Sequence, residues 1–154
     1  MPIAKNLEKH LKQNKIKYEI VEHRKVFTAF DSAETQDLGL NEVAKGVLVK
    51  GKKNLYIAVL PAGFNCDFKS LSKLAADKVS MAKEKDIVQK LKTKIGLIAP
   101  FGSLYNIPVF LDKKLSKNKK INIPAGSYTE SVVMSVEDYI KLENPVGGNF
   151  SVKK

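Results

Sequence analysis

A lysine at position 45 and, further along, the segment Gly96-Leu97-Ile98-Ala99-Pro100-Phe101-Gly102 are the parts of this chain whose residue types could do chemistry together. Val43 and Ala44 before the lysine, and Val47 and Leu48 after it, give its ammonium apolar flanks. In the segment, Gly96 and Gly102 permit close approach of the backbone to a ligand, Ala99 leaves room, and Pro100 stiffens the arc. The amides of Leu97, Ile98 and Ala99 could then converge on one acceptor. A fixed cation and convergent amides are what an ester carbonyl needs when negative charge develops on its oxygen during hydrolysis. The sequence offers no Gly-x-Ser-x-Gly elbow, no closely spaced Cys/His pair and no metal-ligand cluster. The expected chemistry is therefore electrostatic, with no metal and no organic cofactor.

The chain has 154 residues, 44% of them hydrophobic and 28% charged, so one globular domain spanning 1–154 is expected. No run approaches eighteen apolar residues, and Met1-Pro2-Ile3-Ala4-Lys5 lacks the apolar core of a signal peptide. The single cysteine, Cys66, stands beside Asn65 and Asp67 with no histidine near it in sequence, and reads as an inert thiol. These features predict a soluble cytoplasmic protein with no membrane association, and a monomer is favoured.

The net charge is +11, with a pI near 9.6, and Arg24 is the lone arginine. Such a charge suits a polyanionic partner, although a genome biased toward Lys, Asn and Ile codons produces the same excess. Lysine meets phosphate as a flexible point charge, so backbone contact is favoured over base-edge reading. The run Lys113, Lys114, Lys117, Lys119 and Lys120 is either a solvated connection or the surface that touches such a backbone.

Periodicity places these residues. Ile3, Leu7 and Leu11 repeat at helical spacing, and residues 18–23 run like a strand. Asp31 or Ser32 can cap a helix to Leu38 with Gly39 as its stop, and Asn41 a short turn carrying Glu42 to Lys45. Residues 46–50 and 55–60 flank a hairpin turn at 51–54, the second strand apolar throughout and hence central. Asp67 caps a helix through Leu71 and Leu74, residues 79–82 read as a short strand, and 84–92 as a helix with Ile87, Val88 and Leu91 inward. A strand at 107–112 precedes a charged connection at 113–120. Strands 121–123 and 131–135 bracket Pro124-Ala125-Gly126, and Ser135 caps a last helix over 136–142. Pro145-Val146-Gly147-Gly148 breaks it, leaving a loose tail. The sum is an α+β fold: about seven short strands in a mixed, mainly antiparallel sheet, surrounded by four or five helices.

The order of motifs resembles the YbaK/ProX-like aminoacyl-tRNA deacylases, free-standing relatives of the prolyl-tRNA synthetase editing domain. The residues carrying the likeness are His23 before Phe27-Thr28-Ala29, then Glu42-Val43-Ala44-Lys45. Val59-Leu60-Pro61-Ala62 with Asp67, the Gly96-x-x-x-Pro100-Phe101-Gly102 loop, Asp112, and Ala125-Gly126 ahead of Val132-Val133-Met134 follow. It covers roughly residues 18–142. The resemblance implies a trans-editing enzyme that hydrolyses the ester of a mischarged aminoacyl-tRNA. Lys45 matches the essential lysine and the Gly96–Pro100 segment the substrate-holding loop, and Phe27 and Thr28 would lie near the pocket wall. Two departures bear on which amino acid is removed: Gly46 stands where relatives often carry a small polar residue, and Ser127-Tyr128-Thr129-Glu130 does not reproduce the selectivity residues of the alanine- or cysteine-specific members.

Given such a substrate, Glu130 is a candidate acceptor for the α-ammonium of the aminoacyl group, against the plain alternative of a solvated strand position. The lysine run becomes the candidate contact to the acceptor stem. His23 reads as fold-supporting, so the general base is unassigned and falls to a substrate group such as the neighbouring ribose hydroxyl. The expected partner is aminoacyl-tRNA, with an aminoacyl-tRNA synthetase as a second candidate. The competing reading is a catalytically inactive tRNA- or synthetase-binding module of the same fold.

Overall fold

The computed structural model describes residues 4–22, 43–93, 98–127 and 129–153. His23, Phe27, Thr28, the helix expected over 31–38, Asn41, Glu42, Gly96 and Leu97 lie outside the described residues. Helix α1 (Lys5–Gln13) buries Leu7 and Leu11 completely and turns its lysines outward, as the spacing predicts.

The largest sheet has five strands in the order β5 (Ser80–Met81), β2 (Ala44–Lys50), β3 (Leu55–Pro61), β6 (Val109–Asp112) and β9 (Val146–Gly148). The hairpin β2–β3 turns at 51–54, where the Gly51 N–H donates to the Asn54 carbonyl at 2.8 Å. β3 is central, and its residues 57–61 are buried, as a continuously apolar strand requires. Strands β1 (Tyr18–Glu22), β8 (Glu130–Ser135) and β7 (Lys120–Pro124) form a separate antiparallel sheet. β4 (Phe64–Cys66) pairs with β10 (Ser151–Lys153). The expected α+β architecture is present. Among the described residues it has ten strands in three sheets, where about seven strands were expected.

Strand alternation divides the core in two. On one face of the large sheet, Ala44, Leu48, Ile57, Val59, Val109 and Leu111 pack with the β1–β8–β7 sheet, α1 and the final helix α5 (Val136–Glu143). On the other, Val49, Ala58, Leu60 and Phe110 meet Leu71 and Phe150. Helix α2 (Phe68–Ala75) covers this second face. It starts at Asp67, whose carboxylate accepts from the Lys69 N–H.

Four expectations are corrected. Lys45 lies on strand β2, not on a turn, because the strand begins at Ala44. The helix expected over 84–92 is a short α3 (Glu84–Asp86) running into a π-helix (Ile87–Leu91). That wider turn buries Ile87 and Leu91 and leaves Val88 50% exposed. The connection after β6 contains helix α4 (Lys113–Ser116), capped by Asp112. The tail is not loose: β9 pairs parallel to β6, β10 pairs with β4, and Phe150 is 1% exposed between them. No helix among the described residues is long and apolar enough to cross a membrane.

Candidate functional site

Lys45 sits near the start of β2, paired with Leu60 of β3, and its residue is half-buried. Alternation sends its side chain to the second core's side of the sheet, alongside those of Val47 and Val49. Its charge is felt there by Cys66. The neighbouring Gly46 faces the other way. A Cβ built on it would stand 2.8 Å from Cβ of Pro100 and 3.4 Å from Cγ2 of Ile98. The absence of a side chain at position 46 is therefore what lets loop 98–102 lie against the strand that carries Lys45. Loop and lysine meet at one stretch of β2, from opposite faces. Beyond Val43, which bridges to Asn122, and before Val49, which pairs with Met81, the outer edge of β2 takes no strand among the described residues.

The described part of the loop is anchored in the core. Ile98 and Ala99 are nearly buried, Ala99 at 3%, and Phe101 is fully so. The Phe101 N–H donates to the Ala99 carbonyl at 2.7 Å, a γ-turn centred on Pro100 that suits the fixed φ of proline. That bond removes the Phe101 amide from the candidate donors to a ligand. Gly102 is a packing residue: a Cβ on it would stand 2.1 Å from the Ile107 carbonyl oxygen. Its own carbonyl accepts from the N–H groups of Tyr105 and Ile107, closing the 3₁₀ turn Gly102–Leu104.

Two residues of α5 grip this segment. The buried Tyr139 hydroxyl donates to the Pro100 carbonyl at 2.5 Å, and its ring meets Phe101 edge-on at 5.6 Å. Glu143 accepts from the Ser103 N–H at 2.9 Å and from its hydroxyl at 2.5 Å, and His10 Nε2 lies 2.8 Å from the same hydroxyl oxygen. Burial raises the Glu143 pKa above the ordinary carboxylate value, with the Ser103 bonds and His10 opposing. Neither Tyr139 nor the His10–Ser103–Glu143 chain is announced by the sequence. Their partners stand 39, 93 and 40 residues apart, and only the capped helix over 136–142 hints at a face that must pack.

Glu130 opens β8 opposite Glu22 of β1, on the face that continues into the buried Val132 and Met134. Two carboxylates thus stand side by side, on the face of that sheet whose core also takes in Ile98 and Ala99. Of the lysine run, Lys113, Lys117, Lys119 and Lys120 are exposed to differing degrees. Lys114 is half-buried, with 37% of its side chain exposed. Its ammonium lies 5.2 Å from the Phe64 ring centroid, donates to Ser151 Oγ at 3.1 Å, and stands 3.8 Å from Asp112. Burial, with Asp67 nearby, pushes the Cys66 thiol up to about 11. Among the described residues no group of three or more His, Cys, Asp or Glu is placed to hold a metal ion.

The sequence profile of the aminoacyl-tRNA editing domain matches residues 23–142, and the chain belongs to that family. It is similar to the prolyl-tRNA editing protein ProX of Acetoanaerobium sticklandii, 26% identical over 147 residues that cover 91% of this chain and 90% of that one. The Bacillus subtilis protein YwhH is 23% identical over 112 residues, 72% of this chain and 71% of its own length. The fold matches the crystal structure of the hypothetical protein APE2540 with a TM-score of 0.88 at 18% identity, covering 96% of this chain and all of the other. It also matches a crystal structure described as that of a candidate trans-editing enzyme for prolyl tRNA synthetase, with a TM-score of 0.85 at 18% identity, over 100% and 98% of the two chains.

Proposed function

We propose that this chain is a trans-editing hydrolase that cleaves the aminoacyl ester of mischarged tRNA. Family membership supplies the reaction class, and the ProX likeness supports action as a separate protein. The observation that carries the reading is the Gly46–Pro100 contact, which seats the loop on the strand holding Lys45. The ester lies across the outer edge of β2. Amides of Ile98 and Ala99 approach its carbonyl from one face and the Lys45 ammonium from the other, and by the family likeness Leu97 supplies a further amide. Water attacks the carbonyl carbon, and these donors stabilise the oxyanion without reorganising. No protein nucleophile forms. The neighbouring ribose hydroxyl relays the proton, taking it from the attacking water and handing its own to the ribose oxygen that departs as the ester C–O bond breaks, and no cofactor takes part. Glu130, with Glu22 beside it, supplies negative charge for the α-ammonium of the substrate. Phe27 and Thr28, by the family likeness, wall the pocket. Exposed lysines of the 113–120 run hold the tRNA backbone, and a synthetase is the second partner.

The placement of Lys45 and the loop on opposite faces of β2 favours one alternative, a tRNA- or synthetase-binding module without catalysis. A screen of aminoacyl-tRNAs, correct and mischarged, separates the two. Release of free amino acid from at least one establishes the hydrolase, and binding without release establishes the module. In the hydrolase, Lys45→Ala keeps the fold but lowers the single-turnover rate at least about a hundredfold, the usual cost of losing one oxyanion donor. Lys45→Arg does not restore it, because the planar guanidinium cannot take the place of a compact ammonium. A near wild-type rate in the alanine variant would remove Lys45 from the mechanism.

A further inference from the structure

Tyr139 and Glu143 stand one helical turn apart on α5 and reach the two ends of the segment that anchors the loop. Tyr139 takes the Pro100 carbonyl, and Glu143 takes both the N–H and the hydroxyl of Ser103. Helix α1 contributes His10 to the same hydroxyl oxygen. Ser103 has a single hydroxyl proton. With Glu143 as the carboxylate it goes to Oε2, so His10 must present an N–H at Nε2. The chain His10–Ser103–Glu143 then runs in one donor direction across three elements that are far apart in sequence.

Apolar packing of Phe101 alone would hold the segment in place but leave its peptide planes free to rock. Hydrogen bonds to a carbonyl at 100 and an amide at 103 fix the rotation of the backbone around the γ-turn. That rotation sets where the preceding amides point. The deacylase reading asks those amides to meet an oxyanion, and a 1 Å misplacement in such a site costs about a hundredfold in rate.

We propose that Tyr139 and the His10–Ser103–Glu143 chain are positioning residues of the editing site, holding the loop backbone at the orientation in which its amides stabilise the transition state. None of the four touches substrate. The proposal rests on the deacylase reading, and its test separates the two. Tyr139→Phe and Ser103→Ala each remove hydrogen-bonding atoms and little volume, and Ser103→Thr returns the hydroxyl.

Amide hydrogen exchange is measured at Phe101, Leu104 and Tyr105, whose N–H groups are hydrogen-bonded within the clamped segment, with residues 57–60 of β3 as the internal control. Single-turnover deacylation and tRNA affinity are measured on the charged tRNA that the wild-type protein hydrolyses fastest. Exchange at the loop is expected to quicken about tenfold or more in Tyr139→Phe and Ser103→Ala, with β3 unchanged. The rate constant should fall about ten- to a hundredfold. The dissociation constant for tRNA stays within about twofold, because phosphate contacts dominate it. Ser103→Thr recovers both the slow exchange and the rate. Unchanged loop exchange overturns the clamp itself. Quickened exchange with an unchanged rate in an active enzyme overturns its catalytic purpose and leaves a structural staple. A wild-type protein that hydrolyses no aminoacyl-tRNA overturns the deacylase reading and the positioning role with it, while the exchange result still reports the clamp.

Discussion

At the scale of single residues, Cys66 reports where the Lys45 side chain goes. Its thiol is raised to about 11 by burial and by the carboxylates of Asp67 and Asp112, with the Lys45 charge opposing them. At pH 7.5 the thiolate is then roughly one part in three thousand, so alkylation by iodoacetamide should be far slower than for free cysteine. The rate should keep climbing to about pH 11. The sign for stability is fixed by the same shift. A thiol raised in the folded state contributes stability in full below its ordinary value near 9, and loses it as pH rises toward about 11. Lys45→Ala should slow alkylation further, because it removes a positive charge that favours the thiolate. A plateau near pH 9 would mean that the thiol is not buried as described, and no response to Lys45→Ala would place the ammonium elsewhere. The lysine is legible from its apolar flanks. The direction of its side chain is not, because that depends on β2 beginning at Ala44, one residue before Lys45.

At the scale of elements, Asp112 joins three of them. It is fully buried at the end of β6, caps α4 through the Lys114 N–H at 2.9 Å, and accepts the Phe150 N–H at 3.0 Å. Asp112→Ala removes a cap and orphans a buried donor, and should cost about 2–4 kcal/mol in urea denaturation. A loss under about 1 kcal/mol would mean that Phe150 holds the closing strands without it. The same region reads wrongly as a loose tail in the sequence because β9 and β10 have three residues each. Strands that short carry no period, and the signal that matters is one phenylalanine after two glycines. The lysine run divides in the same region, with Lys114 drawn inward beside Asp112. Neutralising Lys113, Lys117, Lys119 and Lys120 together should flatten the dependence of log tRNA affinity on log salt by about 0.7–0.9 for each phosphate no longer neutralised. An unaltered slope would leave these lysines as solvent-facing charge.

For the whole molecule, the long amphipathic and apolar segments are readable. Helix α1, the β2–β3 hairpin, the Asp67-capped helix and the β7–β8 pair follow from periodicity and turn chemistry. The division of the core into two faces follows from the same alternation. What sequence order conceals is the closure of the site. Contacts such as Tyr139 with Pro100, or His10 with Ser103, exist only once sheets and helices have packed, and nothing local specifies them. Likewise the π-turn at Ile87–Leu91 departs from the 3.6-residue pattern that the same residues suggest.

The contact of Gly46 with Pro100 carries a consequence for how this site can change over generations. A side chain at 46 meets Pro100 at 2.8 Å, so a serine there is disfavoured unless the loop has already shifted, and a shifted loop has no reason to persist without it. The two positions form one inherited unit, in which the order of substitutions decides which intermediates survive. Gly46→Ser alone should lose about 1–3 kcal/mol from overpacking. Combined with Pro100→Gly, which removes the opposing Cβ, the loss should fall short of the sum by about 1 kcal/mol or more in a double-mutant cycle. Strict additivity would show that the loop yields freely. In that case lineages with a larger residue after the lysine need no compensating change in the loop, and the two positions are free to drift apart.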